Sequence, residues 1–142
     1  MRALAATDAR DMAAIHAESF DRSWEAIEMA THTQRDLCLG ADQNESLSAF
    51  IIVSTAADQA EILTIATTTT ARRQGFGRKL IDHAVKTLRE RGVAELFLEV
   101  AEDNIGALAL YRDAGFQPIG RRPGYYRRED GRVAAITFSK KV

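Results

Sequence analysis

Two glycines set between an apolar strand and a basic amphipathic helix constrain this chain more than any other feature. Residues 59–67 carry Ile62, Leu63 and Ile65 with few polar positions, the pattern of a strand inside a sheet. Arg72-Arg73-Gln74-Gly75-Phe76-Gly77 follows, and then a helix from 75 or 76 to 91 with Phe76, Leu80, Ile81, Ala84, Val85 and Leu88 as its apolar stripe. Arg89 and Arg91 suit the negative end of that helix, and Gly92 its C-cap. A second apolar strand at 93–100 completes a βαβ unit, which should cross right-handed. Glycine lets backbone N–H groups approach a ligand closely, and a helix starting there adds unpaired donors and a positive dipole end. The stretch therefore reads as a pyrophosphate cradle. It is neither a P-loop, because Gly77 is followed by Arg78-Lys79-Leu80, nor a dinucleotide fingerprint, because Leu80 stands where the third glycine would be.

On either side of this unit the elements are shorter. Residues 2–5 read as a strand, and Thr7 can cap a helix over 8–19 that places Met12, Ile15, His16 and Phe20 at helical spacing. Ser23 can cap a second helix carrying Trp24, Ile27 and Met29, with Glu25 in its first turn. Strands are expected at 36–41 and 47–55, and a helix at 104–113 capped by Asn104 and ended by Gly115. Two further strands, near 116–120 and 133–139, are joined by a polar loop over 121–132. The order is β-α-α-β-β-β-α-β-α-β-β. With no repeat, low-complexity tract or linker, residues 1–142 read as one domain.

With 46% hydrophobic and 27% charged residues, the chain has a globular composition, and its apolar runs are too short and broken for a membrane span. Met1-Arg2-Ala3-Leu4 leads quickly to Asp8 and Asp11, so no signal peptide is expected. Cys38, the single cysteine, allows neither a disulfide nor a cysteine metal cluster and reads as a buried small hydrophobe. These features predict a cytoplasmic protein. No two of His16, His32 and His83 have metal-ligand spacing, so no metal is expected. Residues 1–70 hold 4 Lys/Arg against 11 Asp/Glu, a net −7, while residues 71–142 hold 15 against 9, a net +6. The split suits an anionic cofactor on the C-terminal half and a cationic partner on the N-terminal half, or simply two solvated faces. Cations spread over a helix, a loop and the tail fit coenzyme phosphates better than nucleic acid.

With loop, strand and helix placed, the pattern resembles the GNAT superfamily of N-acetyltransferases, and within it the RimI-type enzymes that modify the N-terminal alanine of a small-subunit ribosomal protein. Four segments carry the resemblance: Leu63-Thr64-Ile65-Ala66; Arg72-x-x-Gly75-x-Gly77; Leu98-Glu99-Val100 running through Asn104 to Ala109-Leu110-Tyr111-x-x-x-Gly115-Phe116; and Gly120-x-Arg122-x-x-Tyr125-Tyr126. It implies an α/β (α+β) fold: a mixed, mostly antiparallel twisted sheet of six to seven strands with a splayed parallel pair, flanked by about four helices. It also implies acetyl-CoA as co-substrate, with a protein N-terminus, a basic ribosomal protein, as acceptor. The protein itself would be a monomer or weak dimer, with no nucleic-acid or membrane partner.

The resemblance also assigns roles. Ile65, Ala66 and Thr67 would pair their backbone with the pantetheine arm, although their side chains suit plain core equally. Arg73, Gln74, Gly75, Phe76, Gly77 and Arg78 would hold the pyrophosphate, and Asn104 would contact the cofactor as well as cap its helix. Glu99 would be the general base, directly or through water, with burial in an apolar strand raising its pKa; a solvent-facing strand glutamate is the alternative. Tyr111 would protonate the coenzyme thiolate, or else be a core residue with a wet hydroxyl. Trp24, Arg122, Tyr125 and Tyr126 would contact the acceptor. An N-terminal amine, with a pKa near ~8 against ~10.4 for lysine, needs only mild base assistance. Two departures stand out: Thr67–Thr70 where relatives often have Val-Asp-Pro, and Val133-Ala134 where an acidic residue usually precedes the alanine. Two rival readings are an acetyltransferase for a small amine or protein lysine, and a non-catalytic acyl-CoA-binding module.

Overall fold

A computed structural model describes residues 1–142. In chain order the elements are β1 (Arg2–Ala3), α1 (Ala9–Ser19), α2 (Ala26–Arg35), β2 (Leu37–Gln43), β3 (Ser46–Ala56), β4 (Gln59–Thr67), α3 (Phe76–Glu90), β5 (Glu95–Ala101), α4 (Ile105–Asp113), β6 (Gln117–Arg128) and β7 (Gly131–Lys141). Short 3-10 turns occupy Ala6–Asp8 and Thr69–Ala71. The strands form one seven-stranded sheet in the order β1-β2-β3-β4-β5-β7-β6, and β4–β5 is its single parallel pair.

Helices cover both faces of the sheet. The stripe Leu80, Ile81, Ala84, Val85 and Leu88 of α3, with Tyr111 of α4, packs on Ile51, Val53, Ile62, Leu96 and Leu98. On the opposite face Met12, Ile15 and Met29 of α1 and α2 meet Phe50, Ile52 and Ala66. β3 serves both layers, which is why Leu47 to Val53 is an unbroken buried run rather than an alternating one. Cys38 lies in the second layer, where burial pushes its thiol pKa up to about 12.

Both helices flanking the central crossover end as the glycine positions require. Gly92 (φ +81°) and Gly115 (φ +92°) adopt the left-handed conformation after α3 and α4. The N–H of Val93 reaches the Leu88 carbonyl at 3.0 Å, and that of Phe116 reaches Tyr111 at 3.0 Å, each closing a Schellman motif. In α4 this cap also brings the Phe116 ring edge-on to Tyr111, with centroids 5.8 Å apart. Tyr111 is thus locked from its own helix end.

Three local expectations are corrected. Thr7 caps nothing: it lies in the 3-10 turn, and the Asp8 carboxylate instead accepts the Ala5 N–H at 2.9 Å. Ser23 does not cap α2 either. Its N-cap is Glu25, whose N–H is satisfied by Glu28 Oε1 at 3.2 Å, so Trp24 lies before the helix. The polar segment 121–132 is not a loop but most of a long hairpin, with β6 running to Arg128 and β7 starting at Gly131. β6 is an edge strand, so its Arg121, Arg122, Arg127 and Arg128 side chains are exposed, and register breaks after Pro118 and Arg122 absorb Pro123 and Gly124.

Candidate functional site

The parallel pair is short. β4 and β5 are in register only from Gln59↔Glu95 to Glu61↔Phe97, after which they separate. Leu63 is an extra residue in β4, since Thr64 faces Ile52 and Ile62 faces Val53. Such a bulge bends a strand. From Ile62 onward the β5-facing backbone of β4 has no ladder partner. A cleft of about 1330 Å³ fills the split, lined among others by Ile65, Ala66, Thr67, Leu98, Glu99 and Tyr111. Thr64 Oγ1 on this wall is the one buried side-chain polar atom without a hydrogen-bond partner.

At one end of the cleft lies the start of α3. Its first ladder bond runs from the Lys79 N–H to the Gly75 carbonyl at 3.1 Å, and no side chain caps the helix. The N–H groups of Phe76, Gly77 and Arg78 are left without intrahelical acceptors. Gly75 turns the chain into the helix at φ +82°, and Arg73 is left-handed at φ +62°. Gly77 lines the cleft, and a Cβ there would sit 3.1 Å from Leu110 Cδ2. The four-threonine departure is accommodated by a clasp. Thr69 donates its N–H and its hydroxyl to Glu18 Oε1 at 3.1 and 2.8 Å, and Arg72 donates to Ser19 Oγ at 3.0 Å. These two donors hold the Glu18 carboxyl below its usual range.

Side chains of the expected phosphate loop are partly committed elsewhere. Arg78 bonds Asp82 at 3.1 Å and the Asp113 carbonyl at 2.8 Å, tying α3 to the end of α4. Gln74 bonds Gln43 and the Thr70 carbonyl, and Phe76 packs against the core. Arg73 is exposed. Of the cofactor candidates, Ile65, Ala66, Thr67, Gly77 and Asn104 line the cleft, and Arg73, Gln74, Gly75, Phe76 and Arg78 do not. Asn104 caps α4, its Oδ1 accepting the Ala107 N–H at 3.2 Å.

Glu99 and Tyr111 share this cleft. Tyr111 is 6% exposed, its ring against Phe116 and Phe138. Burial alone, with no hydrogen bond or charge contributing, pushes its hydroxyl pKa up. Glu99 is half-buried but not in apolar surroundings, which corrects the expectation from its strand. Its carboxylate is 2.9 Å from Arg122 Nε and accepts from Thr137 Oγ1 at 3.2 Å. It also edges a smaller cavity of about 320 Å³ beside Glu61 and Phe97, so water reaches it from two sides.

The other wall pieces come from the β6 strand and from the connection after α1. Tyr125, Tyr126, Arg127 and Arg128 of β6 line one side. Tyr125 and Tyr126 meet edge-on at 5.1 Å, and Arg122 lies over the Tyr125 ring at 5.2 Å. Burial and then the Glu99 charge push the Tyr126 hydroxyl pKa up. Phe20, Asp21 and Arg22, after α1, line the opposite side and were not anticipated. The only signal for them was Phe20 overrunning the helical stripe at the point where the helix ends. Asp21 acts on Arg128 across the mouth. Trp24, by contrast, is not in the lining; its ring is stacked between His16 and His32. Four arginines of the basic half are paired within the chain, Arg78 with Asp82, Arg121 with Glu102, Arg122 with Glu99 and Arg128 with Asp103.

Residues 4–116 match the family model of the acetyltransferase (GNAT) family. The ribosomal protein bS18-alanine N-acetyltransferase of Escherichia coli (strain K12) is 38% identical over 109 residues, which is 77% of this chain and 74% of that relative. The crystal structure of the ribosomal-protein-S18-alanine N-acetyltransferase from Escherichia coli matches with a TM-score of 0.92 at 34% identity, covering 99% of this chain and 92% of that one. The structure of yncA from Salmonella typhimurium, solved with its cofactor acetyl-CoA, shares the fold at a TM-score of 0.86 and 15% identity, covering 99% and 91% of the two chains. Split parallel strands, an open helix start at the glycine turn and these likenesses agree: the chain belongs to the acetyltransferase (GNAT) family.

Proposed function

We propose that the protein, a single domain, transfers the acetyl group of acetyl-CoA to the α-amino group of a protein N-terminus, with the alanine of ribosomal protein bS18 as its acceptor. The observation that carries this reading is one continuous cleft lined by the split β4 and β5 strands, by Glu99 and Tyr111, and by residues 20–22 and 125–128. The activity of the 38% identical relative, a ribosomal protein bS18-alanine N-acetyltransferase, supports the same acceptor.

The residues present fit acetyl-CoA. The unpartnered Thr64 hydroxyl and the unpaired edge of β4 are polar groups awaiting a partner, and Gly77 leaves open a space that a Cβ would fill. Backbone at Ile65, Ala66 and Thr67 would take the pantetheine arm, and the N–H groups of the α3 start the pyrophosphate. When bound, acetyl-CoA supplies an acetyl thioester and a thiolate leaving group. Glu99 then accepts the proton of the incoming amine, directly or through water from the smaller cavity. Tyr111, kept protonated by its burial, donates a hydrogen bond and then its proton to the sulfur. Arg122 holds the Glu99 carboxylate in place, and Tyr125 and Tyr126 wall the acceptor.

Mass spectrometry of N-terminal and lysine peptides incubated with enzyme and acetyl-CoA tests the reaction. Acetyl is expected on the α-nitrogen of an alanine-first peptide; exclusive lysine or small-amine acetylation would replace this reading. With Asp21 at the mouth, the KM of an arginine-rich peptide should rise about threefold between low and physiological salt, and that of a neutral peptide should not. Equal salt responses would remove Asp21 from acceptor selection. Gly77→Val should weaken acetyl-CoA binding about tenfold by calorimetry, because its methyls intrude where Leu110 is already close. An unchanged Kd would move the cofactor away from this turn.

A further inference from the structure

The connection between α1 and α2 carries a feature that acetyl transfer does not by itself explain. Residues 20–22 form a cleft wall, yet they are exposed and belong to neither helix. What fixes them is a column of rings. His16, 3% exposed on the last turn of α1, stacks on Phe20 at 4.3 Å and on Trp24 at 5.0 Å, and Trp24 stacks in turn on His32 at 4.9 Å. The Trp24 N–H donates to His16 Nδ1 at 3.1 Å. This is a half-buried backbone donor whose partner is a titratable ring nitrogen, and the bond exists only while Nδ1 carries no proton. The two residues that His16 stacks on, Phe20 and Trp24, bracket the wall.

We propose that His16 is a positioning residue for the acceptor side of the cleft: its neutral ring holds residues 20–24 in place through the Trp24 N–H, and its protonation releases that wall. The proposal rests on the acetyl-transfer reading above. A second proton on His16 turns Nδ1 into a donor facing another donor, so the Trp24 N–H bond is lost. The surroundings set the direction of the titration. Burial lowers the His16 pKa, and Glu28 on α2 opposes this more weakly. From β3 the ring meets Phe50, 6.4 Å away. Across Trp24 stands His32, whose Nδ1 is 2.6 Å from Asp36 Oδ2, with Arg35 at 3.4 Å from the same oxygen. Glu18, Asp21, Arg22 and Arg72 are the charged groups on this side of the cleft, and Arg128 faces Asp21. Because the folded pKa lies below that of a free histidine, the wall is intact at neutral pH and is lost as pH falls through the folded value.

Trp24 is the only tryptophan, so its emission reports the column without any substrate. In the wild-type enzyme the emission should change as pH falls from about 7 to about 5, and the KM for an alanine-first peptide should rise about tenfold over the same range. The acetyl-CoA KM should change far less. His16→Asn keeps an acceptor near the Nδ1 position but cannot titrate, so it should retain a low peptide KM and flatten both pH responses. His16→Leu keeps the bulk without the acceptor and should show the raised peptide KM already at pH 7.5. His32→Asn separates the two histidines and should leave the response in place. Comparing KM ratios at each pH cancels the titration of the peptide's own amine. Persistence of both acid responses in His16→Asn, or a wild-type emission flat across the range, overturns the proposal. Failure of the wild-type enzyme to acetylate any N-terminal peptide would instead overturn the functional reading, and the emission arm distinguishes the two.

Discussion

Tyr111→Phe is expected to lower kcat by roughly 10²–10⁴ while leaving the Kd for acetyl-CoA within about twofold. The asymmetry follows from how the residue is held. Its ring is fixed by the α4 cap and by Phe116 and Phe138, and phenylalanine keeps all of those contacts. Its hydroxyl has no hydrogen-bond contribution from the rest of the chain, so removing it should cost less than about 1 kcal/mol of stability and shift Tm little. The upward-shifted pKa keeps the group protonated through the working range, so a hydrogen-bond donor faces the cleft at every pH tested. Such a group stabilises the charge developing on a departing thiolate as a fixed hydrogen-bond donor. The pH profile of kcat should therefore show no Tyr111 limb below about pH 10. Unchanged turnover in the phenylalanine variant would remove Tyr111 from the chemistry.

Much of this architecture is legible from residue order because its signals are local. β4 spans 59–67 as the apolar pattern predicts, and α3 runs from Phe76 with its expected stripe buried from Leu80 to Leu88 and Phe76 half-buried. Gly92 and Gly115 end their helices because no other residue adopts that conformation so readily. Misreadings arise where a segment's conformation is decided by a distant partner. Residues 121–128 look like loop, with Pro123, Gly124 and four arginines, and only pairing with β7 and ion pairs to Glu99, Glu102 and Asp103 make them a strand. Trp24 resembles an exposed recognition residue until two histidines from different helices close on its ring. The cleft wall at residues 20–22 exists because α1 ends beside the β4 exit, clasped there through Thr69 and Arg72. No short-range pattern encodes that contact.

The environment of Glu99 follows the same rule and leads to the second large effect. Its strand is apolar, but the groups touching its carboxylate, Arg122 and Thr137, come from β6 and β7. Glu99→Gln is expected to lower kcat/KM for an alanine-first peptide by about 10²-fold at pH 7. The deficit should shrink above about pH 8, where the peptide amine, with a reference pKa near ~8, loses its proton to water unaided. A lysine peptide, with a reference pKa near ~10.4, should show no such recovery over that range. The substitution also strips Arg122 of its counter-charge, and a guanidinium released from its partner could displace β6 and mimic a catalytic loss. Arg122→Gln separates these effects, because it frees the carboxylate without removing it. If Glu99 moves the proton, Arg122→Gln should keep most of the activity and the wild-type pH slope, while Glu99→Gln alone shows the loss that recovers with pH. Equal losses in both variants, with no recovery at high pH, would make the ion pair a strut for the hairpin and leave the amine to be deprotonated by solvent.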